Sequence, residues 1–274
     1  MPELPEVETV ANGVHARVHG QTITGVETSN KPQTFKSTPA EIGEVLTGSR
    51  IERVHRVGKT IVVDLLRPDE TPAEFLVHLG MTGRLLVSAP ETPVPAHTHA
   101  ILSLSGGKEL RFVDARRFGR LSVVTTAGEG ERYAGPGAEP LTVSLEDFIA
   151  LFRRRKTPIK AALLNQSLLH GVGNIYADES LFHAGIRPAR HAGRLTRAEL
   201  TRLRSSLIDV LQQAIQLGGS SVSDYVDADG VAGFFQLHHH VYSRTGQPCR
   251  VCGTPIKRIV ISGRGTHYCP KCQR

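Results

Sequence analysis

The sequence predicts an α+β multidomain chain: an N-terminal helix joined to a β-sandwich, then a helical domain, then a C-terminal β-hairpin that holds zinc. Three observations carry this. Apolar residues recur at helical spacing after Pro5, seven short apolar runs lie between turns from 51 to 125, and all four cysteines fall between Cys249 and Cys272. The predicted domains are 2–130, 131–235 and 240–274. At 274 residues the chain is long enough to bury more than one core.

The first helix rests on Val7, Val10, Ala11, Val14 and Val18, with Pro5 in its first turn and Gly20 at its end. Its approach, Met1-Pro2-Glu3-Leu4-Pro5-Glu6, carries possible chemistry. Initiator methionine is normally removed before proline, which leaves Pro2 with a secondary amine. Attack of an amine on a sugar or carbonyl carbon gives an iminium, a standard covalent intermediate. Glu3 and Glu6 stand close enough in sequence to move protons and lie beside the positive end of the helix dipole. A frayed polar terminus is the competing reading.

The strand candidates are 51–57, 61–66, 75–79, 84–88, 100–104, 109–113 and 121–125, a spacing that implies a sandwich or barrel. Gly135-Pro136-Gly137 and Pro140 then break the pattern. Helices are predicted over 145–152 and 158–165, and from Asn174 as N-cap to about 184 after the turn Gly171-Val172-Gly173. Thr196-x-x-Glu199 is a capping box for a long helix that ends at Gly218-Gly219. The glycine turn between helices points backbone N–H groups outward, as a phosphate site requires, and Arg153-Arg154-Arg155-Lys156 precedes it. A solvated charged face is the alternative.

Cys249-x2-Cys252 and Cys269-x2-Cys272 have the spacing of two knuckles around one tetrahedral Zn²⁺. Four thiolates leave no open position, so the zinc is structural. Between the knuckles, 257–261 and 266–268 read as strands joined by a turn at Gly263-Arg264-Gly265, with Arg264 at the tip. This tail is basic. Seven of the chain's 33 basic residues lie in 240–274 with no acidic one, leaving 26 against 26 acidic residues before it. A basic patch on a neutral body suits a polyanion. No apolar run approaches a membrane span and the start lacks the pattern of a secretory signal, so a cytoplasmic protein is expected.

With these pieces in order, the chain resembles the formamidopyrimidine-DNA glycosylase family of bacterial base-excision repair. The resemblance runs from terminus to terminus: Pro2-Glu3-Leu4-Pro5-Glu6-Val7-Glu8-Thr9, His78-Leu79-Gly80-Met81-Thr82-Gly83, Arg116-Arg117-Phe118-Gly119, Gly171-Val172-Gly173-Asn174-Ile175-Tyr176-Ala177 and Pro248-Cys249-Arg250-Val251-Cys252-Gly253-Thr254-Pro255-Ile256. It implies a helical domain of the helix-two-turn-helix (H2TH) type, one structural zinc, and double-stranded DNA with oxidised bases or abasic sites as partner. It also implies a monomer in the cytoplasm, associated with the nucleoid when acting. Pro2 would attack C1′ of the damaged nucleotide, and Glu3 would protonate the opening sugar with Glu6 in support. Lys59 would serve β-elimination, and Arg264 would grip phosphate and assist δ-elimination. The match also implies that Met81, Arg116 and Phe118 fill the space of a flipped nucleotide, Arg116 facing the orphaned cytosine. His97, Arg155, Lys160 and Asn174 align with phosphate contacts.

Two departures stand out. Ala115 replaces a proline usual before the arginine pair, and a lysine common in the family is absent around Ala96-His97-Thr98-His99. The loop 227–233, expected to cover the flipped base, varies in the family. The implied activity is removal of oxidised purines (8-oxoguanine and formamidopyrimidines). The rivals are an endonuclease VIII-type relative acting on oxidised pyrimidines and a non-catalytic damaged-DNA-binding protein. Leu4, Met81 and the Arg116–Phe118 block favour the first reading over the second, and the joint presence of Pro2, Glu3 and Lys59 counts against the third.

Overall fold

The computed structural model describes residues 1–125, 132–221 and 226–274, so the predicted domain boundary at 130/131 lies outside the described residues. The chain forms two compact units, 1–134 with 218–234, and 135–217 with 235–274.

In the first unit, helix α1 (Leu4–Val18) buries all five of the apolar residues that predict it. Eight strands follow: β1 (Ile23–Thr28), β2 (Arg50–Val57), β3 (Thr60–Leu66), β4 (Pro72–His78), β5 (Arg84–Ser88), β6 (Thr98–Leu104), β7 (Glu109–Val113) and β8 (Arg120–Thr125). They make two antiparallel four-stranded sheets, ordered β1-β6-β7-β5 and β2-β3-β4-β8. Every predicted strand is present within a few residues. Val10, Val14, Ile23, Ile51, Val63, Phe75, Leu102 and Phe112 share one core, so the helix and both sheets bury a common apolar interior. Two elements escape the sequence reading: β1, whose Gly25 breaks its alternation, and helix α2 (Pro39–Leu46). The signal for α2 was nevertheless present, since Thr38 and Glu41 form a capping box with proline at the first helical position.

Sequence places 218–234 with the helical domain, but its contacts put it in the first unit. There Ala228 joins the α1 core, its carbonyl accepts the Val87 N–H at 3.2 Å, and Asp229 pairs with Arg17. Gly13 makes this approach possible, because a Cβ there would stand 3.2 Å from that of Ala228.

The second unit contains α3 (Leu145–Phe152), α4 (Ile159–Leu163), α5 (Asn174–His183), α6 (Arg197–Gln216) and the hairpin β9 (Lys257–Ile261)/β10 (Arg264–Tyr268). The predicted helices are present, with one correction at α5. Gly173, in extended conformation, is its N-cap, and Asn174 is the first helical residue. The Asn174 amide is committed elsewhere, donating to the Gly265 carbonyl at 3.1 Å. The hairpin turn also shifts by one residue. Ser262 and Gly263, with φ of 49° and 75°, form the two-residue turn, and Arg264 opens the return strand opposite Ile261. Two consecutive positive φ values match the twist of a tight hairpin. None of the described helices is long and apolar enough to cross a membrane.

At the start of α6, Thr196 and Glu199 form the predicted box, and Arg190 grips the Glu199 carboxylate with both terminal nitrogens (2.5 and 3.1 Å). The Arg190 bonds, then those from Thr196, pull the carboxyl from 4.5 to about 2 against its partial burial. A depressed folded-state pKa contributes stability that is complete above the unfolded value and is lost as pH falls toward the folded one. Wild-type melting temperature should therefore drop from pH 4.5 to about 2 more steeply than that of Glu199→Gln. Parallel acid limbs in a pH series of thermal melts would refute this.

Candidate active site and nucleic-acid interface

The terminus does not fray. Pro2 is buried while Met1 is half exposed, and Glu3 and Glu6 are 4% and 2% exposed. Glu6 explains the order. One carboxylate oxygen accepts the Glu3 N–H at 2.8 Å, and the other accepts the Ser220 N–H at 2.7 Å. A single buried carboxylate thus holds the residue after Pro2 and the returning 218–234 segment. Charge-assisted hydrogen bonds of this kind contribute about 1.5–3 kcal/mol each. The Pro2 nitrogen is an amide while Met1 remains and a free secondary amine once Met1 is lost.

Lys59 occupies the second position of the two-residue turn between β2 and β3, after Gly58 at φ 61°. Arg56, three residues earlier, binds Glu8 of α1 through Nε at 2.7 Å and the Gly58 carbonyl through a terminal nitrogen at 3.2 Å. The Lys59 turn is thereby anchored to the helix that follows Pro2. Thr60 pairs with His78 across the sheet. Burial, then the charges of Lys59 and Arg120, lower the His78 pKa, which favours the neutral imidazole. Its Nδ1 accepts the Gly80 N–H at 3.1 Å and so shapes the next turn.

Met81 and Phe118 remain 38% and 48% exposed, apolar side chains presented to solvent on two adjacent loops. The Arg116 guanidinium lies over the Phe118 ring, 4.8 Å from its centroid. Asp114, fully buried, knots the loops together. One oxygen accepts Thr82 Oγ1 at 2.5 Å and the Arg116 N–H at 3.2 Å, and the other accepts the Gly119 N–H at 2.7 Å. Gly80 fits because it has no Cβ, which would come within 2.5 Å of the Gly119 nitrogen. His97 is exposed at φ 66°, and its carbonyl accepts the Asp114 N–H at 3.0 Å.

In the second unit Arg155 is exposed beside a recess of about 270 Å³ lined by Arg154, Lys156, His191, Gly193 and Arg194. Arg264 is also exposed. Lys160 is not, which corrects its reading as a phosphate contact. It is wholly buried, 2.6 Å from Asp178, and donates to the Gly265 carbonyl at 2.9 Å. A fully covered ammonium presents no face to a phosphate. Asp178 also accepts the His267 N–H at 2.8 Å, and Asn174 shares the Gly265 carbonyl. Lys160, Asn174 and Asp178 therefore pin the strand that begins with Arg264.

The four cysteines converge, with all sulfurs within 4.8 Å of one another and the pairs Cys249–Cys272 and Cys252–Cys269 at 3.9 and 3.4 Å. Zn–S bonds of about 2.3 Å in a tetrahedron require sulfurs about 3.8 Å apart, so the set fits one zinc. Val251 and Cys272 N–H groups point at the sulfurs of Cys249 and Cys269, as thiolate ligands favour. Hydrogen bonds from Thr254 pull Cys252 down to about 6, while burial and neighbouring sulfurs push Cys272 up. A divalent cation relieves that crowding. Bound zinc would hold the two knuckles together as one fold.

Three family profiles match the chain: the formamidopyrimidine-DNA glycosylase N-terminal domain over 1–121, its H2TH domain over 135–226, and the zinc finger found in FPG and IleRS over 246–274. The formamidopyrimidine-DNA glycosylase of Solibacter usitatus is 44% identical over 274 residues, covering all of both chains. The chain belongs to the formamidopyrimidine-DNA glycosylase family. Membership makes it a base-excision DNA glycosylase with one structural zinc. The crystal structure of the Thermus thermophilus Fpg protein superposes with a TM-score of 0.85 at 41% identity, over 99% of this chain and 98% of that one. Lactococcus lactis Fpg, in complexes with N7-benzyl-Fapy-dG DNA and with oxidised-pyrimidine DNA, gives 0.88 at 33% identity over the full length of both.

Sequence reasoning missed the residues that place the candidate functional ones in this glycosylase: Arg56, Thr82, Asp114 and Asp178. Their signal was weak, since each is a common polar residue whose partner is distant in sequence or on another element. Asp114→Ala should leave the Gly119 N–H without its acceptor, at about 1–3 kcal/mol, and the Arg116 N–H with only Thr82 Oγ1 at 3.3 Å. Its melting temperature should fall and its affinity for a duplex with an abasic-site analogue should weaken, as checked by thermal melts and fluorescence anisotropy. Removal of zinc should release one ion per chain on elemental analysis and abolish that binding.

Proposed function

We propose that this chain excises oxidised purines from duplex DNA through a Pro2 iminium and then cleaves the abasic strand on both sides. The observation that carries the reading is the buried Pro2-Glu3 terminus locked by Glu6. With Met1 removed, the Pro2 nitrogen attacks C1′ of the damaged nucleotide. The base departs with the proton that the Pro2 nitrogen gives up, Glu3 gives a proton to the sugar ring oxygen, and the opened sugar stays bonded to nitrogen as an iminium. Loss of a C2′ proton expels the 3′ phosphate, the step assigned to Lys59. A second elimination expels the 5′ phosphate, with Arg264 neutralising its charge. Water then hydrolyses the iminium and frees Pro2. Glu6 acts by position, since both its oxygens are occupied by backbone donors.

A base inside the helix is out of reach, so it must leave the stack at a cost of a few kcal/mol. Met81 and Phe118 are the exposed apolar side chains suited to fill the gap, and Arg116 suits the bases left behind. His97, Arg155 and Asn174 are read as supporting the flanking backbone, the last through its grip on the finger strand. The protein acts as a monomer, in the cytoplasm and on the nucleoid.

Borohydride should trap the protein covalently on duplex DNA with 8-oxoguanine opposite cytosine, and Pro2→Gly should give no adduct. Glu3→Gln should slow base release by about 10²–10⁴-fold, the usual contribution of a positioned acid. Strand cleavage at the wild-type rate in Pro2→Gly would overturn the mechanism. Faster excision of thymine glycol than of 8-oxoguanine would favour the oxidised-pyrimidine reading.

A further inference from the structure

A second cluster of metal-ligand side chains lies in the second unit, apart from the cysteines. Glu179 and His183 are four residues apart on α5 and so project from one face. His240, in the segment that leads to the finger, meets them, and one ligand atom from each of the three lies within 4.8 Å of the others. Glu179 Oε2 stands 3.7 Å from His240 Nδ1, and the two imidazole centroids are 4.6 Å apart.

The ligands are held by the fold. Glu179 is buried and accepts the N–H groups of His240, Val241 and Tyr242 at 2.8, 3.0 and 2.8 Å, which seats the turn carrying His240. Phe182 stacks on the His240 ring at 5.2 Å and fixes its plane. His240 belongs to a run of three histidines, but His238 and His239 pack on Phe235. His183 is exposed at the last turn of α5, where the negative end of the helix dipole favours a cation. The cluster is therefore rigid on the Glu179–His240 side and open to solvent on the His183 side.

We propose that Glu179, His183 and His240 form a second site for a borderline divalent transition ion such as Zn²⁺ or Co²⁺, which clamps the segment before the finger to α5. Two imidazoles and a carboxylate match the preference of such ions, with water as a fourth ligand. Bond lengths of about 2.0–2.2 Å place tetrahedral ligands about 3.4 Å apart. Closing the cluster to that spacing calls for movement of the exposed His183 ring while the other two ligands stay seated.

The test uses the full chain with its finger already filled by one zinc, titrated with Co²⁺. Wild type should bind one further equivalent with visible d–d absorption but no thiolate-to-cobalt charge-transfer band, and its melting temperature should rise with cobalt. His183→Ala and His240→Ala should each weaken that binding at least tenfold, while elemental analysis still finds one zinc. Since His183 is exposed, its replacement leaves the metal-free melting temperature unchanged. No second equivalent in wild type, cobalt appearing only in the thiolate band, or binding that persists in both variants would overturn the site.

Discussion

The Glu6 carboxylate is the constraint on which the order of the N-terminus depends. A chain terminus normally frays, because its few contacts do not offset the entropy of ordering it. In the proposed mechanism Pro2 must be both terminal, to have an amine, and fixed, to present it. Burial of Val7 in the sandwich core, beside a fully buried Leu4, supplies the apolar anchor. Glu6 supplies direction, joining the Glu3 N–H to the Ser220 N–H through one anion. Burying that charge is unfavourable in itself, and the two backbone donors compensate. The arrangement also explains why 218–234 returns to the first unit after the long helix α6.

Asp114 and the Lys160–Asp178 pair repeat the same device. Each is a fully buried charged group whose partners are backbone atoms or neighbouring polar side chains, beside an exposed candidate residue. Asp114 seats Arg116 and, through Thr82 and Gly119, the turns that present Met81 and Phe118. Lys160 and Asp178 seat the strand that starts with Arg264. A satisfied polar network in a low-dielectric interior favours one geometry strongly, since any shift leaves a buried group unpaired. Shape is thereby transmitted to side chains that themselves make few contacts.

The sequence was legible where periodicity or spacing carried the information. α1, seven of the eight strands of the first unit, α3, α6 with its capping box, and the cysteine knuckles all follow from patterns within a few residues. It was less legible where the deciding partner lies far along the chain. Asn174 reads as an N-cap because asparagine before a helix usually is one, yet its amide is drawn to Gly265, 91 positions away. Lys160 reads as a phosphate contact because the family resemblance aligns it with one, and only the fold shows that Asp178 claims it. β1 and α2 are short elements whose boundaries tertiary packing decides.

The candidate functional residues themselves sit at turns where the backbone is constrained. Lys59 follows Gly58 at φ 61°, Met81 follows Gly80 at φ 65°, and Arg264 follows Ser262 and Gly263 at positive φ. His97 and Arg117 adopt positive φ without being glycine, a conformation that costs of order 1–3 kcal/mol and persists only where the surroundings impose it. Both are tied to Asp114 through backbone hydrogen bonds, so one buried aspartate sustains two strained positions. A turn lets a side chain project away from the fold, while hydrogen bonds to a buried charge keep that projection fixed. Substrate binding then has less ordering entropy to overcome, because these loops are held in place before DNA arrives.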